Sequence, residues 1–211
     1  MHDWDFMSLK KTIMFLLIYL WSNELFSHPV IWKDGTAFSF RSLPHISQVN
    51  LHYSYNRVWS LGLHAIKINE NKYLMFQNNF LIKRWNQDDS QANIYLFSGL
   101  GKKTQAINTK MVHIGAQIDW ETRRLYTQFE SHSFLSENTT HLLNIRFGLS
   151  PYLSDYNSLH SWLILQITDK ITNKNHDITA MPVLRFFIDN YLAEIGSNFS
   201  NKHMATLMLH F

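Results

Sequence analysis

The chain contains no cysteine in its 211 residues. It can build neither a disulfide framework nor a thiolate metal site. Glycine and proline are scarce, at 7 and 4 residues, and no Gly- or Pro-rich linker divides the chain. Charged residues make up only 17%. With 45% hydrophobic and 15% aromatic residues, such a chain collapses rather than staying disordered. There is no dense basic block, which argues against a nucleic-acid partner. Long hydrophobic runs are missing too, since none approaches the roughly 20 apolar residues of a spanning helix. Yet the mean hydropathy is slightly negative, at −0.20. A chain both apolar and mildly hydrophilic needs its two kinds of residue finely interleaved.

One segment stands apart. Met7-Ser8-Leu9-Lys10-Lys11 is followed by the apolar Thr12–Trp21, then by the polar Ser22-Asn23-Glu24 and by Leu25-Phe26-Ser27. That basic, apolar, polar order is the pattern of a signal peptide, with cleavage expected after Ser27. Asp3 and Asp5 do not suit a basic leader, which leaves the true start open between Met1 and Met7. The expected organisation is a signal peptide over 1–27 and a single domain over 28–211. Losing 1–27 removes two lysines and three carboxylates, which raises the formal charge from +3 to +4. Freedom from cysteine suits export through an oxidising periplasm.

From residue 46 onward the hydrophobic period is two. Gln48-Val49-Asn50-Leu51-His52-Tyr53-Ser54-Tyr55 alternates throughout, as do Trp59–Ala65, Val112–Trp120 and Leu143–Leu149. Such runs place one kind of side chain on each face of a strand. Turn signals divide the domain into about twelve strands, near 36–42, 46–55, 59–68, 73–84, 91–100, 110–120, 124–132, 141–150, 159–168, 178–188, 191–198 and 203–211. The first, fourth, fifth and ninth alternate poorly. Pro182 falls inside the tenth, where a bulge would accommodate its missing N–H.

Alternation does not say which face meets solvent. A soluble ligand-binding barrel turns its apolar face inward, and a membrane barrel turns it to lipid. The last nine residues, His203 to Phe211, end on an aromatic with Leu209, Leu207 and Ala205 on one face. This resembles the closing strand of bacterial outer-membrane β-barrel proteins. The resemblance implies outer-membrane lipid as surroundings and recognition of the strand ending at Phe211 by the barrel-assembly machinery. Loop lengths agree with that family: Asn56–Val58, Thr122-Arg123 and Asp189-Asn190 read as tight periplasmic turns. Gly101–Asn108, Ser133–Thr140 and Asp169–Asp177 read as longer external loops. Trp59, Trp85, Trp120, Tyr152 and Phe211 then gather at the periplasmic strand ends, as interfacial aromatics do. The expected fold is an all-β, antiparallel, up-and-down transmembrane β-barrel of about twelve strands, within a range of eight to twelve.

Two- and three-residue hairpin turns set lumenal partners. Arg185 should oppose Glu194, Asn50 should oppose His64, and His113 should oppose His132. The lumen-lining candidates are Asn50, His52, His64, Asp119, Glu130, Arg146, Arg185 and Glu194. A wall of both charge signs suits a porin-like channel or binder for small polar solutes or ions. It equally suits an internal ion-pair network in a closed barrel with partner-binding external loops. His113 and His132, with Glu130 nearby, form the best candidate for a metal ion. No cofactor is implied. A lipid-modifying hydrolase would use His52 and Ser54, yet their expected neighbours are Gly62 and Ser60 and supply no orienting carboxylate. Gly99-Leu100-Gly101-Lys102-Lys103-Thr104 lacks the pattern of a phosphate loop. The orientation of Val49, Leu51 and Tyr53 against His52 decides between a lipid-facing and a soluble barrel.

Overall fold

The computed structural model describes residues 28–153 and 158–211. The expected signal peptide, 1–27, lies outside the described residues. Twelve strands follow in order. They are β1 (Thr36–Leu43), β2 (Ile46–Asn56), β3 (Trp59–Ile68), β4 (Asn71–Asn86), β5 (Ser90–Lys103) and β6 (Ala106–Thr122). The second half holds β7 (Leu125–Leu135), β8 (Thr140–Leu149), β9 (His160–Thr172), β10 (Asn175–Ile188), β11 (Tyr191–Ser197) and β12 (His203–His210). Each pairs antiparallel with its neighbours in the chain, and β1 pairs with β12 to close the barrel. Thr36 and Phe211 exchange backbone hydrogen bonds of 2.9 and 2.8 Å at the seam. An even strand count returns the chain to the rim where β1 begins, here called the terminal rim.

The scarcity of glycine is explained by how turns are made. His45, Asn69, Asn173, Lys174, Asp189 and Asn201 carry positive φ, and no described glycine does. Asn and Asp tolerate the left-handed region at small cost, and adjacent left-handed Asn173 and Lys174 suit a two-residue hairpin. Glycine is used inside strands instead. A Cβ on Gly62 would collide with the Leu51 carbonyl and lie 2.7 Å from His52 Cα, so the inward-folded His52 requires the gap.

Two expectations need correction. The runs read as long external loops are largely strand: β5 reaches Lys103, β6 starts at Ala106, and Asn173-Lys174 alone separates β9 from β10. Their polar residues lie on strands that extend past the apolar belt, so polarity there marks depth rather than loop. The β6–β7 turn is centred one residue later than expected, which moves each partner by two. His132 faces Gly115 and His113 faces Phe134. The cause is local: Thr122 Oγ1 accepts the N–H groups of Arg124 and Leu125 at 3.1 and 2.9 Å, fixing the turn. A two-residue shift preserves which face each side chain takes.

Pro182 needs no bulge. It stays in register with Leu165, and its carbonyl points toward β11 just past the last β10–β11 pair, Val183–Gly196. The missing donor therefore falls where that ladder has already ended.

The outer surface is apolar. Val49, Leu51 and Tyr53 are 40–48% exposed, whereas His52 between them is 6% exposed. Trp85, Trp120, Tyr152 and Phe211 are exposed around the terminal rim, and Trp59 stacks on Phe80 with ring centroids 6.5 Å apart. Among the described residues no helix is long and apolar enough to cross a membrane. Gly62→Ala is expected to lower stability by about 1–3 kcal/mol, the usual cost of overpacking. An unchanged urea unfolding midpoint would show that the His52 fold-over does not need the gap.

Candidate functional site

The inward residues divide the lumen into two zones. In the half toward the terminal rim they are polar and surround a cavity of about 940 Å³. The turn residues Asn86 to Gln91, with Thr122 and Arg123, form part of its mouth, and Arg41, Gln48, His64 and Phe134 close its inner end. In the other half the inward positions are mostly apolar and packed together, with Thr140, Thr168 and Thr179 also buried there. Leu43, Ile46, Ile66, Ile68, Tyr73, Met75, Met111, Phe134, Leu142, Met181 and Met204 are all buried in one cluster. This layer sits just inside the far rim, because these residues lie toward the far-rim ends of their strands. A lumen polar along its whole length, the simplest reading of alternation, is therefore incorrect. Near the far rim, strands such as β4 are apolar on both faces, which is why Tyr73–Phe80 alternates poorly.

Several charged groups of the polar zone are paired, across the cavity as well as along the sheet. Arg185 and Glu194 are direct cross-strand partners, joined Nε to Oε1 at 2.7 Å. Arg146, from β8, reaches the same Oε1 at 2.9 Å, and the Arg185 guanidinium lies 4.3 Å from the centroid of the Tyr126 ring. Arg41 on β1 donates to both oxygens of Glu130 on β7, at 3.3 and 3.2 Å. Those strands are six positions apart whichever way the barrel is traversed, so this ion pair spans the lumen. Asp119 accepts from Asn93 at 2.6 Å and from Gln117 at 2.7 Å. Arg84 in turn donates to Asn93 at 2.7 Å.

The histidines join this framework. His132 Nε2 donates to Glu130 at 3.0 Å, leaving its Nδ1 to accept from His113 Nε2 at 3.0 Å. That tautomer pattern leaves His113 Nδ1 as a buried acceptor with no partner. His113 stacks on Phe134 behind the cavity wall, with ring centroids 4.7 Å apart. The candidate metal pair is thus in direct contact, yet through a mutual hydrogen bond. Among the described residues no group of three or more His, Asp or Glu could hold a metal ion. His64 sits between Gln77 and Gln48. His52 takes an N–H from Asn79 at 3.2 Å. Asn50 donates to Ser39 at 3.1 Å. Ser54 Oγ accepts the Ile31 N–H at 3.2 Å, so the hydroxyl that a hydrolase would need is engaged by backbone. All eight lumen-lining candidates border the cavity.

Sequence reasoning had no access to the segment before β1. Residues 28–31 enter the mouth from the terminal rim. Val30 packs with Leu81, Tyr95 and Phe97, and the Pro29 carbonyl accepts from Ser60 and Asn79 at 3.0 and 3.2 Å. His28 lies 3.0 Å from the Gln91 side chain. Burial, with Arg84 nearby, pushes its imidazole down to about 3, so it occupies the mouth uncharged. The only hint in the sequence is the apolar Val30-Ile31-Trp32 beside a polar wall.

This barrel has known structural counterparts. Its fold is similar to that of a porin. A structure described as "KdgM porin" aligns with a TM-score of 0.54 at 11% identity, covering 84% of this chain and 98% of that one. A second, "KdgM porin in complex with disordered oligogalacturonate", aligns with a TM-score of 0.55 at 10% identity over the same shares. No protein-family model and no curated protein matches the sequence. At such identity the likeness to KdgM lies in the fold alone, a closed twelve-stranded β-barrel.

Glu194→Ala leaves Arg146 and Arg185 buried without their shared carboxylate, and is expected to cost about 3–5 kcal/mol. Asn50→Ala, which removes one neutral hydrogen bond, should cost about 1 kcal/mol. Denaturant titration of both variants checks the contrast, and similar losses would mean that Glu194 does not hold the arginines.

Proposed function

We propose that the chain is a bacterial outer-membrane barrel of porin-like type, exported by a cleaved signal peptide over 1–27, that takes small polar solutes into its lumen. The observation that carries this reading is inverted polarity. The outside of the barrel presents a continuous apolar belt, while arginines, carboxylates and amides line the inside. A water-soluble protein could not leave so much aliphatic surface facing solvent, whereas a bilayer requires it. The terminal rim, with its aromatic girdle and both strand ends, is the periplasmic side in this reading. The strand ending at Phe211 is the segment that barrel-assembly machinery would engage.

The wall also narrows the class of solute. KdgM is described with oligogalacturonate, a chain of sugar carboxylates. Here, among the described residues, five arginines (41, 84, 123, 146 and 185) face six carboxylates (88, 89, 119, 121, 130 and 194) around the cavity, and no lysine joins them. Nine Asn or Gln side chains supply the rest of the polar wall. With no excess of positive charge, this lumen suits small solutes that are uncharged or carry both signs better than it suits polyanions.

Passage through the barrel requires the apolar layer at the far rim to open, because hydrophobic constrictions block ions by staying dry. The chain reconstituted in planar bilayers should therefore show low, intermittent conductance. Replacing both Met75 and Met181 with serine should raise it severalfold without loss of the folded barrel. Equal conductance in the two proteins would contradict the layer's role as the barrier. A failure of the unaltered chain to insert at all would contradict the membrane reading itself.

A further inference from the structure

The outer face of β3–β6 at the far rim carries a charge pattern that neither the lumen nor the apolar belt accounts for. Leu63, Phe76, Leu100 and Val112 are aligned across these four strands, each opposite the next, and all are exposed. Beyond that row, toward the far rim, the outward positions become lysine, at once on β5 and β6 and after Ala65 and Leu74 on β3 and β4. Lys67 on β3 is the direct partner of Lys72 on β4. Lys102 on β5 is the direct partner of Lys110 on β6. All four share the outward parity of the apolar row beneath them.

Like charges directly opposite in an antiparallel ladder repel and destabilise the sheet. Among the described residues only one carboxylate meets this set. Lys67 has one carboxylate nearby, Glu70 at 3.7 Å, whose side chain is 94% exposed. No ion pair joins Lys72, Lys102 or Lys110 to a described carboxylate. Elsewhere at this rim some charges are matched, as in His176–Asp169 at 2.8 Å and the Lys202–Asp177 pair, while Lys170 donates to the Asn69 side chain. Among the described residues, lysine directly opposite lysine occurs only in this quadrant of the barrel.

We propose that this quadrant is a binding site for the phosphate-bearing headgroup of a membrane lipid in the leaflet at the far rim. The proposal rests on the membrane reading above. The aligned row Leu63, Phe76, Leu100 and Val112 would lie against the acyl chains, and the two lysine pairs would meet the phosphate directly above them. A phosphate removes the repulsion within each pair and supplies acceptor oxygens for several ammonium groups. The flexible lysine stems can converge on it while remaining anchored at the belt. A free anion would match the charge but leave the apolar row without a role, which is why the lipid is the better occupant.

Native mass spectrometry of the full chain in neutral detergent, titrated with phosphatidic acid or phosphatidylcholine, tests this. The unaltered chain should retain phosphatidic acid preferentially. The variant combining Lys67→Gln, Lys72→Gln, Lys102→Gln and Lys110→Gln should lose that preference by at least tenfold, given roughly fivefold per lysine near an anionic surface. Lys83→Gln, which alters the opposite rim, should keep it. Equal phosphatidic acid binding by the quadruple variant and the unaltered chain would overturn the site. Complete displacement of the lipid by inorganic phosphate at constant ionic strength would overturn the lipid assignment in favour of a free anion. Absence of any lipid retention, phosphatidylcholine included, would instead count against the membrane reading.

Discussion

Pairing β1 with β12 leaves the sheet without a free edge, so every strand residue faces either the surroundings or the lumen. That constraint decides what each half of the sequence must be. Inward side chains from twelve strands share a narrow space and must satisfy one another. Outward ones can be apolar only if something other than water lies against them. The alternation of the chain is the answer to both demands at once. It also explains a mean hydropathy near zero in a protein with an aliphatic exterior.

Within the lumen, pairing of buried charge governs the architecture. Glu194 gathers Arg146 and Arg185 from two strands, and Glu130 gathers Arg41, His132 and Asn144 from three. The Arg41–Glu130 bridge crosses the full width of the barrel. Such a network both solvates and fills, which is why the polar zone encloses a bounded cavity instead of a clear bore. Beyond it the lining turns aliphatic and methionine-rich, and there the interior resembles the core of a soluble protein. In the channel proposed above, opening this packed layer would need side chains to repack rather than strands to move. Methionine, unbranched and adaptable, would suit such repacking.

Much of this was legible in the sequence. Period two marked the strands, and the Asp189-Asn190 turn fixed the Arg185–Glu194 pair, because a two-residue hairpin leaves no freedom of register. The β6–β7 hairpin was misplaced by one residue at its centre because Thr122 could either occupy the turn or cap it, and composition does not distinguish the two. Polar strand ends such as Lys102-Lys103 read as loop for a similar reason: a strand that outgrows the apolar belt looks like surface. Partners separated by several strands were out of reach. Arg41 meets Glu130 only through barrel closure, and no local pattern encodes a distance across a lumen. The apolar layer left only a trace, as blurred alternation at the far-rim ends of strands.

The central claim is that the apolar face of each strand lies in lipid and the polar face in the lumen. Because the chain has no native cysteine, single cysteines can be introduced along residues 48–54 and spin-labelled in a barrel reconstituted into vesicles. Collision rates with oxygen, which concentrates in the bilayer, are then compared with those of a water-soluble nickel chelate. The account predicts oxygen accessibility that oscillates with period two and peaks at positions 49, 51 and 53, with minima at 50, 52 and 54. Nickel accessibility peaking at 49, 51 and 53 would place that face in water and contradict it.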